Sequence, residues 1–161
     1  MAESDDMSAI KTLSTEATAA SGDSSGWQLF AAWIIALVAT LSALFIGEVL
    51  GQEPCNLCWY QRIAMFPLAL LLGIAVLFND TTVRRYALPM SIAGAVIALW
   101  HTLVYFEVVN VAIIPCSAEG PSCMGAGMTI LGGVPLPVIS LACFVVISIL
   151  LFILPGTNRN E

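Results

Sequence analysis

Charge is what this sequence has least of: charged residues make up 10% of its 161 positions, and Lys and Arg together number 5. Lysine occurs only as Lys11 and histidine only as His101. A chain so poor in basic side chains has no stripe with which to neutralise phosphates, which excludes nucleic acid as a partner. The same shortage excludes an ordinary soluble domain, because 59% of the residues are hydrophobic and too few polar ones remain to cover a surface. Also missing is a G-x-G-x-x-G after a strand pattern; the glycines between Gly120 and Gly133 do not complete one, so no dinucleotide loop is expected.

What the chain does have is four long apolar stretches, at about 27–50, 57–78, 86–106 and 136–154. Each is close to the roughly 20 residues that cross a bilayer as a helix. Pro67, Pro89 and Pro137 lie inside or at the ends of these stretches. In lipid, neighbouring helices re-satisfy the backbone groups that proline frees, so kinks rather than breaks are expected. The first stretch follows a polar segment and exceeds the core of a signal peptide, which reads as a retained helix. The link from Asn79 to Arg85 is short and polar, making the second and third helices antiparallel neighbours. The expected fold is all-α, an integral membrane four-helix bundle in a lipid bilayer.

Lys and Arg placement orients the bundle. Lys11 precedes the first span, Arg84 and Arg85 lie between the second and third, and Arg159 follows the fourth. Both termini are therefore expected in the cytoplasm. Residues 1–26 carry Glu3, Asp5, Asp6, Glu16 and Asp23 against Lys11 and read as a disordered acidic cytoplasmic tail. Residues 27–154 form the membrane domain, and 155–161 a second cytoplasmic tail. Residues 51–56 and the long loop 107–135 then face the extracytoplasmic side. Within that loop, Met124 to Leu131 carries enough apolar side chains to lie along the membrane surface.

Five cysteines follow the pattern Cys55 and Cys58, Cys116 and Cys123, and Cys143. The first four share the outer, oxidising face, where disulfides form and persist. Cys55 and Cys58 make a C-x-x-C at the mouth of the second span, and residues three apart on a helix share a face. A helix beginning near Pro54 would turn its unpaired N–H groups toward these sulfurs and favour the thiolate, the attacking species in exchange. Arg62 lies four residues after Cys58, one turn along the same face, where its charge is expected to hold Cys58 ionised. The alternative for Arg62 is an interface anchor beside Trp59 and Tyr60. A disulfide between Cys116 and Cys123 would close a tiny loop and add little stability, and exposed bridges of that kind are the labile ones. The competing use of the four cysteines is as ligands of a structural zinc ion, in a non-catalytic metal-binding or chaperone protein; the outer placement favours disulfides, and no metal is expected. Cys143 sits mid-span among apolar neighbours and reads as inert.

His101 falls near the outer end of the third span, at about the depth of Arg62. It could hydrogen-bond a quinone carbonyl or shuttle a proton; equally, it could bond a neighbouring helix or Tyr105. Glu48 and Glu107 read as solvated helix ends. Trp59, Trp100, Met65 and Met128 could line a slot for a flat ligand, or simply pack.

The run Cys55-Asn56-Leu57-Cys58-Trp59-Tyr60-Gln61-Arg62 resembles the disulfide bond formation protein B (DsbB) family, especially its shorter BdbC-type branch. The resemblance extends over about residues 27–154. It implies four membrane helices, a C-x-x-C entering the second, an arginine four residues on, and a loop pair between the third and fourth. It further implies a thiol oxidase of the cytoplasmic (inner) membrane. In this scheme a DsbA-like thioredoxin-fold partner attacks the Cys116–Cys123 disulfide, and electrons pass to Cys55 and Cys58. They then reach the membrane quinone pool, ubiquinone or menaquinone, with Cys58 facing the quinone and Arg62 stabilising its thiolate and polarising the ring, while His101 stays the candidate for hydrogen-bonding a quinone carbonyl. The vitamin K epoxide reductase family also pairs two cysteine pairs with a quinone, but its loop pair precedes its C-x-x-C, and the order here excludes it.

Overall fold

The computed structural model of the chain describes residues 25–52, 54–109, 129–130 and 134–154. The acidic tail up to Ser24, most of the loop 107–135 with Cys116, Cys123 and Met128, and the segment 155–161 lie outside the described residues.

Helix α1 runs from Ser25 to Val49. α2 covers Asn56–Phe78, α3 Arg84–Tyr105 and α4 Leu136–Ile153. All four are long and apolar enough to cross a membrane. At 1.5 Å per residue a helix the length of α2 spans roughly 35 Å, more than the hydrocarbon core of a bilayer. α2 and α3 continue through Pro67 and Pro89, and proline stands in the first turn of α4, where its missing N–H costs nothing. α3 begins at Arg84, ahead of the apolar run that starts at Tyr86, because the connecting turn is itself helical. Thr81–Val83 form a 3-10 turn, capped by Asp80 Oδ1, which accepts from the Thr82 amide at 2.8 Å. Asn79 ends α2 in the left-handed region at φ 50°, which its short polar side chain tolerates.

The buried residues fall at alternating spacings of three and four on each helix: Leu29, Ala32, Ala36; Leu68, Leu72, Ala75; Ala87, Ser91, Gly94, Ala98, His101; Phe144, Ile147, Leu151. On α3 this stripe is made of small residues as far as Ala98. Small residues let helix backbones approach, the main source of packing in lipid. A Cβ on Gly94 would collide with the Phe144 ring. Ser91 Oγ donates to the Phe144 carbonyl at 3.1 Å and pairs with Ser148 Oγ at 2.8 Å. Arg84 donates to the Leu154 carbonyl at 2.9 Å and so caps the end of α4. The outward faces carry Leu70, Ile74, Leu77, Ile92, Val96, Ile149 and Phe152, large apolar side chains exposed to the surroundings, as lipid-facing residues are.

Two features depart from a plain bundle. The last turn of α1, Phe45–Val49, widens into a π-helix. In addition, Thr129–Ile130 (β1) pairs antiparallel with Val134–Pro135 (β2) just before α4, Ile130 opposite Val134. Thr129–Ile130 falls within the stretch expected along the membrane surface, and Pro135 closes the ribbon where α4 must begin.

Candidate functional site

α2 begins at Asn56, which makes Cys55 its N-cap and leaves Pro54 outside the helix rather than in its first turn. The N-cap is usually an oxygen side chain that takes an orphan amide of the first turn. Here the Cys55 sulfur does so, accepting from the Cys58 N–H at 3.4 Å. Cys55 Sγ and Cys58 Sγ are 3.0 Å apart. Cys55 is buried, whereas Cys58 is partly exposed. Leu57 and Tyr105 pack around the pair.

α3, antiparallel to α2, brings His101 to the same level. His101 is 1% exposed, and its Nε2 lies 3.8 Å from Cys55 Sγ. Its Nδ1 is 2.9 Å from Nε2 of Gln61, itself buried. Both ring nitrogens of His101 are thus engaged within the bundle, one by the thiol pair and one by an amide. Of the alternatives the sequence left open for this histidine, the bond to a neighbouring helix is present, with Gln61 rather than Tyr105 as the partner. Gln61 was not singled out by its sequence position. The available signal was a lone amide one turn past Cys58 inside an apolar span, where polar groups need a partner on another helix.

Arg62, one turn along α2 from Cys58, reaches toward α1 and the Trp59 ring. Its Nη2 donates to the Ala43 carbonyl of α1 at 2.8 Å, and its guanidinium stands 5.6 Å from the Trp59 ring centroid. The cause lies on α1. Gly47 has no side chain, and a Cβ there would come within 3.1 Å of Arg62 Nη2. Winding of the π type is also frequent where a helix serves a site. Trp59 is 51% exposed beside it. Trp100 is exposed and Met65 buried, Glu48 and Glu107 are exposed, and Cys143 packs against the main core, away from this cluster.

Cys55, Cys58 and His101 hold their donor atoms within 4.8 Å of one another, a set that could also ligate a metal ion. Two thiolates bound at about 2.3 Å to a tetrahedral zinc sit about 3.8 Å apart. The sulfurs here are at 3.0 Å, closer than a zinc ion would hold them. The arrangement suits two sulfurs that exchange a bond more than two that share an ion.

Compared with known proteins, residues 25–154 match the family model described as Disulfide bond formation protein DsbB. The chain belongs to the DsbB family. DsbB-family membership and its four apolar helices make it a multi-pass membrane protein of disulfide bond formation, built as a helical bundle. It is 56% identical over 126 residues to a "Probable disulfide formation protein" of Metapseudomonas resinovorans, covering 78% of this chain and 88% of that one. It is 41% identical over 132 residues to "Disulfide bond formation protein C" of Bacillus subtilis, covering 82% of this chain and 95% of that one. A "Probable disulfide formation protein" of Deinococcus radiodurans is 37% identical over 131 residues, 77% of this chain and 86% of the other. No solved structure matches the chain at a significant level.

Proposed function

We propose that this DsbB-family protein is a thiol:quinone oxidoreductase of the cytoplasmic membrane, which reoxidises a DsbA-like thioredoxin-fold partner on the extracytoplasmic side. The observation that carries the reading is the buried Cys55 at the N-cap of α2, 3.0 Å from Cys58 and 3.8 Å from His101. Thiol–disulfide exchange needs a stabilised thiolate, and a helix N-terminus supplies it through orphan amides and the helix dipole.

In the proposed sequence the partner's dithiol attacks the Cys116–Cys123 disulfide and leaves as a disulfide, with the loop pair reduced. The loop dithiol next reduces the Cys55–Cys58 disulfide by the same exchange, one S–S bond formed for each one broken. Reclosing the Cys55–Cys58 bond releases two electrons and two protons. A quinone, when bound, supplies the two-electron acceptor. The residues present fit such a group. Arg62 is held between the Ala43 carbonyl of α1 and the Trp59 ring, and a guanidinium has five N–H donors, of which one is committed to the Ala43 carbonyl. Exposed Trp59 offers a flat apolar face beside it. Arg62 would orient a carbonyl oxygen, with Cys58, the more exposed sulfur, on that side and His101 behind Cys55. Placement of both termini in the cytoplasm and of Cys116 and Cys123 outside follows from the positions of Lys11, Arg84, Arg85 and Arg159.

The test is reconstitution: purified protein in detergent, a reduced thioredoxin-fold partner, and ubiquinone or menaquinone, with quinone absorbance followed over time. Partner-dependent loss of quinone absorbance is expected. No change with either quinone would overturn the reading, and bound zinc by elemental analysis would then favour a metal-binding role.

A further inference from the structure

The pairing of Gln61 with His101 lies beyond the relay itself. A polar side chain buried among apolar helices is costly unless each of its hydrogen-bonding atoms is used. Here the two residues face each other across α2 and α3, Gln61 7% and His101 1% exposed. The atom of Gln61 that faces the ring is Nε2, 2.9 Å from Nδ1. An amide nitrogen only donates, so with the Gln61 amide in this orientation Nδ1 is the accepting nitrogen of a neutral imidazole. The single ring hydrogen then sits on Nε2, the nitrogen 3.8 Å from Cys55 Sγ.

We infer that Gln61 is a positioning residue: it fixes His101 as the Nε2–H tautomer, so that the histidine donates a hydrogen bond to the Cys55 sulfur instead of accepting its proton. With the Cys58 amide already donating to the same sulfur at 3.4 Å, two N–H groups converge on Cys55. Hydrogen bonds to the charged form favour it, so these two N–H groups stabilise a thiolate on Cys55 once the proton it donates to Cys58 at 3.0 Å has left. The partly exposed Cys58 stays the sulfur on the side of Arg62. Other ionisable groups on the elements packed here, among the described residues, are Cys58, exposed Tyr60 and Arg62 on α2 and Tyr105 on α3, with Arg84, Arg85 and Tyr86 at the far end of α3. Glu48 near the end of α1 and Glu107 just after α3 are both exposed. Arg62 donates to the Ala43 carbonyl, and His101 is a buried ring in contact with Cys55 that carries an N–H. The inference rests on reading Cys55 and Cys58 as a redox pair, but it does not depend on the quinone or on the partner.

Because His101 is the only histidine, its tautomer can be read directly. In the reduced full-length protein labelled with 15N-histidine in detergent micelles, Nδ1 should resonate as the unprotonated ring nitrogen and Nε2 as the protonated one. In Gln61→Leu the two forms should mix. The second readout is the pH profile of Cys55 alkylation, resolved by peptide mass spectrometry without partner or quinone. Gln61→Leu and His101→Leu should slow alkylation at neutral pH about tenfold and move the profile to higher pH. His101→Gln, which can donate but cannot serve as a base, should keep the rate within about twofold. An Nδ1–H tautomer in the wild type, or His101→Gln as slow as His101→Leu, would overturn the inference. So would an alkylation profile unmoved in a folded Gln61→Leu protein. If that variant does not fold, the wild-type nitrogen spectrum and the His101 pair decide.

Discussion

Cys55 and Cys58 are three residues apart in sequence, yet their surroundings differ in kind. Cys55 is buried against His101 and caps α2, while Cys58 stands one turn into the helix beside exposed Trp59. Replacing either by alanine should abolish oxidation of a thioredoxin-fold partner, whereas Cys143→Ala should leave the rate nearly unchanged; steady-state assays on the three variants check this. Arg62→Ala removes one charged hydrogen-bond donor, whose loss is typically about 1.5–3 kcal/mol, so the apparent KM for quinone should rise roughly tenfold or more. An unchanged KM would reduce Arg62 to an anchor between α1 and α2. The C-x-x-C and its arginine were legible in the sequence because both are local patterns. The Gln61–His101 bond was not, because its partners are 40 residues apart and no local pattern fixes how α3 is rotated toward α2. Nor was the turn of Arg62 toward Ala43, which depends on a missing side chain at Gly47 on a third element.

At the scale of the helices, the α3–α4 contact carries the packing. The missing side chain at Gly94 leaves a trough into which the Phe144 ring fits, and the Ser91 hydroxyl one turn away bonds to Phe144 O and Ser148 Oγ. Gly94→Val should therefore force α4 away and destabilise the bundle by about 1–3 kcal/mol, the range for overpacking a filled core. Ser91→Ala should cost less, about 0.5–1.5 kcal/mol, as hydrogen bonds between membrane helices do. Thermal unfolding in detergent would rank the two, and Ser91→Ala as damaging as Gly94→Val would argue against the trough. The existence of each helix could be read from run length alone. What run length could not give was the π turn at Phe45–Val49 or the two-residue ribbon before α4, since each depends on pairing rather than composition.

For the whole molecule, the expected topology has its own check. A cysteine introduced by Thr12→Cys or Asn158→Cys should stay unlabelled by a membrane-impermeant maleimide applied to intact cells, and label only after permeabilisation. Labelling from outside would invert the bundle and move the thiol pairs to the reducing side. The tight turn at Asn79 and Asp80 has a further consequence, for the timing of synthesis. Cys55 and His101 are 46 residues apart along the chain, and only the folding back of α3 on α2 brings them together. A growing chain therefore presents its two sulfurs before the imidazole exists. The dithiol is made without the imidazole beside it and acquires that neighbour only when the helical hairpin closes. A nascent chain arrested before Arg84 would carry the complete Cys55-to-Arg62 motif with its chemistry still unassembled.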